Sequence, residues 1–149
     1  MLTCTKIYRD YPFAHRAHNH DGHCKLIHGH NWTFEITFIA EVRDENGFVI
    51  DFGKLAGLKA QLDKIFDHTF LLNQADPLTD VFRRFTSEND LNNLRIVDDC
   101  SCEGIAALVW AISEKFVRDE ELGRVRVKGV IVHEDSKNFA SYEPDAKDQ

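Results

Sequence analysis

The stretch "NWTFEITFIAEVR", residues 31–43, constrains the fold more than any other part of the chain. Trp32, Phe34, Ile36, Phe38, Ala40 and Val42 share one parity, and Thr33, Glu35, Thr37, Glu41 and Arg43 the other, with Ile39 the exception. A period of two is that of a β-strand, whose successive side chains point to opposite faces. The segment is therefore a strand with one apolar and one wet face. "DENGFVIDF", residues 44–52, then reads as a turn at Asn46-Gly47 followed by a second short strand.

Other segments fit around this strand. Residues 3–14 read as extended. Asp51 is placed to cap a helix over 53–66, in which Leu55, Leu58, Leu62 and Ile65 recur at steps of three and four. Residues 74–99 are polar and mixed, which predicts a long variable loop with a short helix near 77–85 and an extended piece at "LRIVDD". Ser101 is placed to cap a second helix with the stripe Ile105, Leu108, Ile112 and Phe116. In "RVRVKGVIVHE", Val125 and Val127 have one parity, Val130 and Val132 the other, and Gly129 lies between them. A glycine at a parity switch predicts a β-bulge that re-aims the residues beyond it, Glu134 included. "NFASYEP" supplies a last short strand. The expected plan is α+β in the order ββααββ: a four-stranded antiparallel sheet with two helices on one face.

A chain of 149 residues is long enough for one domain with its own core, so 1–149 is expected to be a single domain. No run of eighteen apolar residues is present to span a membrane. The start "MLTCTKIYRDYPF" lacks a basic lead followed by an apolar region, so a cytoplasmic protein is expected, with no membrane partner. In that compartment Cys4, Cys24, Cys100 and Cys102 are expected as thiols. A net charge of -7 argues against nucleic acid as a partner.

Six of the eight histidines fall between His15 and His30. His28 and His30 stand two apart at the entrance to the strand, so their rings project from one face, the apolar one. Imidazoles at the rim of a buried face are costly unless something uses them, and a divalent metal such as zinc uses neutral imidazole well. A catalytic zinc takes three protein ligands and keeps one open position. Candidates for the third are Cys24, His15, His18, His20 and His23. If Cys24 ligates, its thiolate is quenched; if a histidine ligates, Cys24 stays free beside a dication, as a base or nucleophile. Spacing alone does not choose.

"FAH", "CKLIHGHNW", "GFVIDFGKL", "FDHTFLLN", "SCEGIAALVW" and "VIVHED" come in an order that resembles the 6-pyruvoyl-tetrahydropterin synthase and 6-carboxytetrahydropterin synthase family, from about residue 13 to residue 142. The resemblance implies the tunnelling fold, and a homo-oligomer, trimeric or hexameric, with active sites between subunits. By position it implies His15, His28 and His30 as zinc ligands and Cys24 as catalytic cysteine rather than ligand. It further implies Asp67 and His68 as a catalytic pair and Glu134 as the glutamate that anchors the pterin and serves catalysis. Ser101 and Cys102 fall at the family's substrate contacts.

The implied substrate is 7,8-dihydroneopterin triphosphate. The implied chemistry is Lewis-acid activation of its side-chain hydroxyls by zinc, with proton removal by the Cys24 thiolate and proton shuttling by His68. The short spacing between Cys24 and His28 resembles the carboxytetrahydropterin branch, a lyase that releases acetaldehyde and triphosphate on the way to queuosine and related deazapurines. The alternatives are a pyruvoyl-tetrahydropterin synthase and a non-catalytic pterin- or metal-binding oligomer.

The chain departs from the family where the second helix begins. The usual Pro-Thr-(Ala or Ser)-Glu-Asn is here Cys100-Ser101-Cys102-Glu103-Gly104. Both thiols are expected to be partly buried and unreactive, and Gly104 should weaken the first helical turn. His133 is expected to face the sheet and Trp110 to pack. Arg16 and Lys25 are candidate phosphate contacts.

Overall fold

Trp32, Phe34, Ile36 and Phe38 are fully buried along β2 (His28–Ala40), as their alternation requires. The structure, a computed structural model, describes residues 1–121 and 123–145; the rest of the expected 1–149 domain lies outside the described residues. Strand β2 is central. It pairs antiparallel with β1 (Leu2–His15) on one edge and with β5 (Val125–His133) on the other, and β5 pairs with β6 (Phe139–Tyr142). Helices α1 (Ala56–Phe66) and α3 (Cys102–Glu120) cover the apolar face of this four-stranded antiparallel unit.

The sheet does not stop at four strands. Residues 69–97 add β3 (Thr69–Asn73), α2 (Thr79–Glu88) and β4 (Leu94–Val97), giving six strands in the order β4-β3-β1-β2-β5-β6 and three α-helices among the described residues. The observed order is ββαβαβαββ, which corrects the expected ββααββ. The physical reason lies in "TFLLN". Thr69, Phe70, Leu71 and Leu72 are all buried, and such a run belongs inside a sheet covered on both sides. β3 runs parallel to β1 and to β4, so the sheet is mixed. No helix among the described residues is long and apolar enough to cross a membrane.

The second strand expected at "GFVIDF" is absent. Asp44 Oδ1 accepts from the amides of Asn46 and Phe48 at 2.9 and 2.8 Å, closing a tight turn with Gly47 at φ 85°. Both edges of β2 are already taken, so the segment beyond the turn has no partner; it buries Val49 and Ile50 as a loop instead. Asp51 caps as expected, accepting from Gly53 N at 2.8 Å, but a 3-10 turn over Phe52–Leu55 precedes α1.

Strand β5 carries the expected bulge. Thr37 faces Gly129 and Phe38 faces Val127, which leaves Lys128 as the extra residue. A second bulge, not foreseen, lies in β1: Tyr8 faces Phe34 and Tyr11 faces Trp32, so three steps in β1 match two in β2.

Helix α3 starts behind the Ser101 hydroxyl, which accepts from Gly104 N at 3.0 Å. Its buried positions are Ile105, Ala106, Val109, Ser113, Glu114, Phe116 and Val117, a stripe rotated from the expected one; Leu108 and Ile112 are only partly buried. Glu114 is buried there with partners on every side. Its carboxylate receives Arg118 Nε at 2.6 Å, the Val127 amide at 2.6 Å, and Arg126 Nε. Burial raises its pKa, but Arg118, the amide and Arg126 outweigh burial and leave it below the usual carboxylate range.

Replacing Glu114 with alanine removes the acceptor of the buried Val127 amide and of Arg118 and Arg126, and is expected to cost about 1–3 kcal/mol by denaturant unfolding. Because the folded carboxyl is depressed, its contribution is full above about pH 4.5 and falls away as pH drops through the folded value. The unfolding free energy of Glu114→Gln should therefore depend less on acid than that of the natural chain.

Gly104 has a packing reason that outweighs its poor helix propensity. A Cβ there would lie 2.6 Å from the Asp99 carbonyl oxygen and press on the Asp99 side chain. Gly104→Ala, which elsewhere in a helix gains about 1 kcal/mol, is expected to destabilise by about 1–3 kcal/mol here; a raised unfolding midpoint would contradict this.

Candidate metal centre

The register of β1 on β2 places His15 directly across from His28, with His30 two residues further on the same face of β2. Phe13 stacks on Trp32 at 4.5 Å beneath them, and the Trp32 ring stands edge-on to His15 and His30 at 5.0 and 5.3 Å. The imidazoles thus rest on an aromatic floor where the apolar face of the sheet ends. Glu134, the first residue after β5, reaches the same point. One donor atom from each of His15, His28, His30 and Glu134 lies within 4.8 Å of all the others.

Backbone carbonyls set the rings. His15 Nδ1–H donates to the Cys100 carbonyl at 2.7 Å, and His28 Nδ1–H to the Leu26 carbonyl at 2.7 Å. A carbonyl only accepts, so the proton is on Nδ1 and a neutral ring carries its lone pair on Nε2. Burial pushes the His15 pKa below its usual value; the Cys100 carbonyl and Glu134 oppose this, and His28 and His30 add to it. The ring is therefore held neutral, as ligation requires. Nε2 of His15 and of His30 are both buried and make no hydrogen bond. Orphaned, inward-facing imidazole nitrogens are what a divalent metal would satisfy, so the donor set fits one.

The other candidates fall elsewhere. Cys24, in a 3-10 turn over His23–Lys25, is half-buried and free, and its sulfur is not one of the converging donors. Its carbonyl accepts from the Ala17 amide at 2.8 Å, which ties this turn to the chain just after β1. His18, His20 and His23 do not join the cluster either; His20 Nδ1 accepts from Gly22 N at 2.8 Å. Arg16 already has an acidic partner. It forms a bidentate pair with buried Asp76, at 2.6 and 3.0 Å. The sequence reading missed Asp76, though "QADP" offered an acid just before a proline. Lys25 remains exposed.

Asp67 and His68 stand together at the start of β3, with His68 Nδ1 and Asp67 Oδ1 2.7 Å apart. His68 has φ 54°, uncommon for a residue with a Cβ, and its amide donates to the Pro12 carbonyl at 3.0 Å. Its side chain is 82% exposed. It borders a groove of about 530 Å³ whose other walls include Ile27, Val81, Phe85 and Leu91, all exposed.

At the head of α3, Ser101 is engaged as the helix cap. The Cys102 thiol donates to the Val132 carbonyl at 3.4 Å, and burial together with nearby Glu134 pushes its pKa up to about 11. The Cys100 thiol donates to the Arg16 carbonyl at 3.4 Å and is likewise raised by burial. Both sulfurs are protonated packing groups. On the wet face of the sheet His133 Nε2 lies 2.9 Å from Glu35; on α3, packed against the core, Trp110 Nε1 donates to the Val127 carbonyl at 3.0 Å.

The profile of the 6-pyruvoyl tetrahydropterin synthase family matches residues 4–145. A 6-carboxy-5,6,7,8-tetrahydropterin synthase of Rickettsia bellii (strain RML369-C) is 39% identical over 77 residues, which is 51% of this chain and 55% of that protein. The chain thus spans about half the length of the Rickettsia relatives it matches. Among solved structures, an uncharacterized protein from Wolinella succinogenes superposes with a TM-score of 0.79 at 19% identity, covering 97% of this chain and all of that one. The Caenorhabditis elegans 6-pyruvoyl tetrahydropterin synthase superposes with a TM-score of 0.67 at 19% identity, over 96% of this chain and 95% of that one. At such identities the superpositions speak for the fold, while the profile, spanning β1 to residue 145, speaks for descent: the chain belongs to the 6-pyruvoyl tetrahydropterin synthase family.

Proposed function

We propose that this chain is a zinc-dependent 6-carboxy-5,6,7,8-tetrahydropterin synthase acting on 7,8-dihydroneopterin triphosphate. It would release acetaldehyde and triphosphate, a lyase step toward queuosine and related deazapurines. The observation that carries the reading is the meeting of three imidazoles, two of them oriented by main-chain carbonyls, with the buried Nε2 atoms of His15 and His30 making no hydrogen bond. Zinc held by His15, His28 and His30 would supply Lewis acidity toward the substrate's side-chain hydroxyls. The remaining chemistry falls to the protein's own groups.

Cys24 is the proposed base that takes a proton from the side-chain carbon. Its exclusion from the donor cluster leaves the sulfur free for that work. His68, turned by Asp67 at 2.7 Å, is the proposed proton shuttle. Glu134 is the proposed pterin anchor, accepting from the 2-amino and N3–H edge in a bidentate pairing. Ser101 and Cys102 at the head of α3, where the Cys102 thiol lies near Glu134, are proposed to border the ring. The exposure of His68 next to an apolar groove supports a homo-oligomer, trimeric or hexameric, in which another copy closes the site. A cytoplasmic location goes with this reading.

Incubation of zinc-loaded protein with 7,8-dihydroneopterin triphosphate, with products identified by mass, is expected to yield 6-carboxytetrahydropterin and acetaldehyde. A pyruvoyl product without acetaldehyde would move the chain to the sibling reaction, and no turnover at all would sink the enzyme reading.

Cys24→Ala is expected to keep its zinc and to lose about 10²–10⁴-fold in kcat, the range of general-base contributions. Loss of zinc in that variant would make Cys24 a ligand and end its role as base.

A further inference from the structure

We propose that Asp76 and Arg16 are positioning residues for Cys24: Asp76 aims the Arg16 guanidinium, and Arg16 fastens the turn that carries Cys24 to the end of β1. The contacts stand by themselves; their effect on turnover rests on the synthase reading.

Asp76 is a fixed point at the corner between β3 and α2. Its side chain is wholly buried, and that of its partner Arg16 is 17% exposed. The Asp76 amide donates to the Asn73 carbonyl at 2.9 Å, and its own carbonyl accepts from the Thr79 amide and hydroxyl at 3.1 and 2.6 Å. The carboxylate accepts from the Leu78 amide at 2.9 Å and from Nε and Nη2 of Arg16 at 2.6 and 3.0 Å. A buried carboxylate persists in the charged form when it is paired and hydrogen-bonded in this way.

The guanidinium is planar and rigid, so gripping two of its nitrogens aims the third. Nη1 donates to the Lys25 carbonyl at 3.3 Å. The neighbouring carbonyl, that of Cys24, accepts from the Ala17 amide at 2.8 Å. Two consecutive carbonyls of the 3-10 turn His23–Lys25 are thus tied to the two residues that follow β1. One bond alone would act as a hinge. The second fixes the angle of the turn, and with it the direction of the Cys24 side chain. His15, His28 and His30 have no need of this tie, because the ladder of β1 on β2 holds their backbones. Cys24 belongs to no strand, and the tie does for it what the ladder does for the histidines.

The test uses the full zinc-loaded chain, with residue-resolved hydrogen exchange in the absence of substrate and turnover of 7,8-dihydroneopterin triphosphate in its presence. Asp76→Asn keeps the size of the side chain and an acceptor for the Leu78 amide, but withdraws one of the two oxygens that grip Arg16. Arg16→Lys leaves Asp76 a cation without the rigid fork, and carries the same expectations should the first variant fail to fold. Stoichiometric zinc is expected to remain. The amides of Ala17 and of Leu26, which donates to the His23 carbonyl, should exchange about tenfold faster while those of β1 and β2 keep their rates. kcat should fall about 10–10²-fold with KM little changed, the mark of a displaced catalytic group. Unchanged exchange at Ala17 and Leu26 would overturn the tie whatever the enzyme does. Faster exchange with an undiminished kcat would overturn the positioning role. So would loss of zinc, or exchange quickened equally in the strands, since either would make the pair general scaffolding. No turnover in the natural protein would overturn the synthase reading, and with it the effect on kcat, while the exchange rates still decide the tie.

Discussion

Everything at the candidate centre depends on the register of β1 against β2. His15 reaches His28 because their backbones are paired, and it shares their face because of the bulge between Tyr8 and Tyr11. Before the bulge the core-facing residue of β1 is even-numbered Tyr8; beyond it they are odd-numbered Tyr11, Phe13 and His15. In an unbulged strand the period of two would send His15 to the wet face. One extra residue, with Asp10 at φ 65° and its carboxylate accepting from Asn31 Nδ2 at 3.2 Å, corrects the parity. The bulge in β5 does the same for Val130, Val132 and Glu134. Two single-residue insertions, in the two strands flanking β2, bring side chains of β1, of β2 and of the residue just after β5 to one point.

Orientation comes from groups that carry no charge. Two of the three rings are fixed by main-chain carbonyls, Cys100 for His15 and Leu26 for His28. This choice of partner leaves Nε2 basic and inward-facing without adding negative charge. Among the described residues, Glu134 is the one carboxylate in the donor set. A dication held mainly by neutral imidazoles would keep most of its charge, which suits a Lewis acid better than a carboxylate-rich site would.

What could be read from the sequence follows from how local each signal is. The alternation of β2, the Asp51 and Ser101 caps and the parity switch at Gly129 are each set by a few adjacent residues, and each appears in the fold. The β1 bulge has no such mark: "YRDYPF" contains no glycine, and the parity change is visible only against Phe34 and Trp32 across the ladder. "TFLLN" gives no strand signal by alternation, because a fully buried run has none. "GFVIDF" carried a hairpin signal that failed because β2 had no edge left to offer. At the centre, His28 and His30 announced themselves by spacing, whereas the Cys100 and Leu26 carbonyls have no sequence signature.

The departure of residues 100–104 from the family pattern takes on a different meaning in this light. Cys100 is buried and Cys102 partly buried, and burial raises both thiols' pKa values, so their sulfur chemistry is silent. What matters at position 100 is its carbonyl, which holds His15, and at 101 its hydroxyl, which starts α3. Gly104 lets Asp99 pack against the helix, and Asp99 in turn accepts from the Ser101 amide at 2.8 Å. The segment is therefore a brace between helix and metal centre. Cap, close-packed turn and carbonyl are three consecutive parts of one structure, so a change that loosens the start of α3 reaches the His15 ring through the backbone, without touching any residue that faces the substrate.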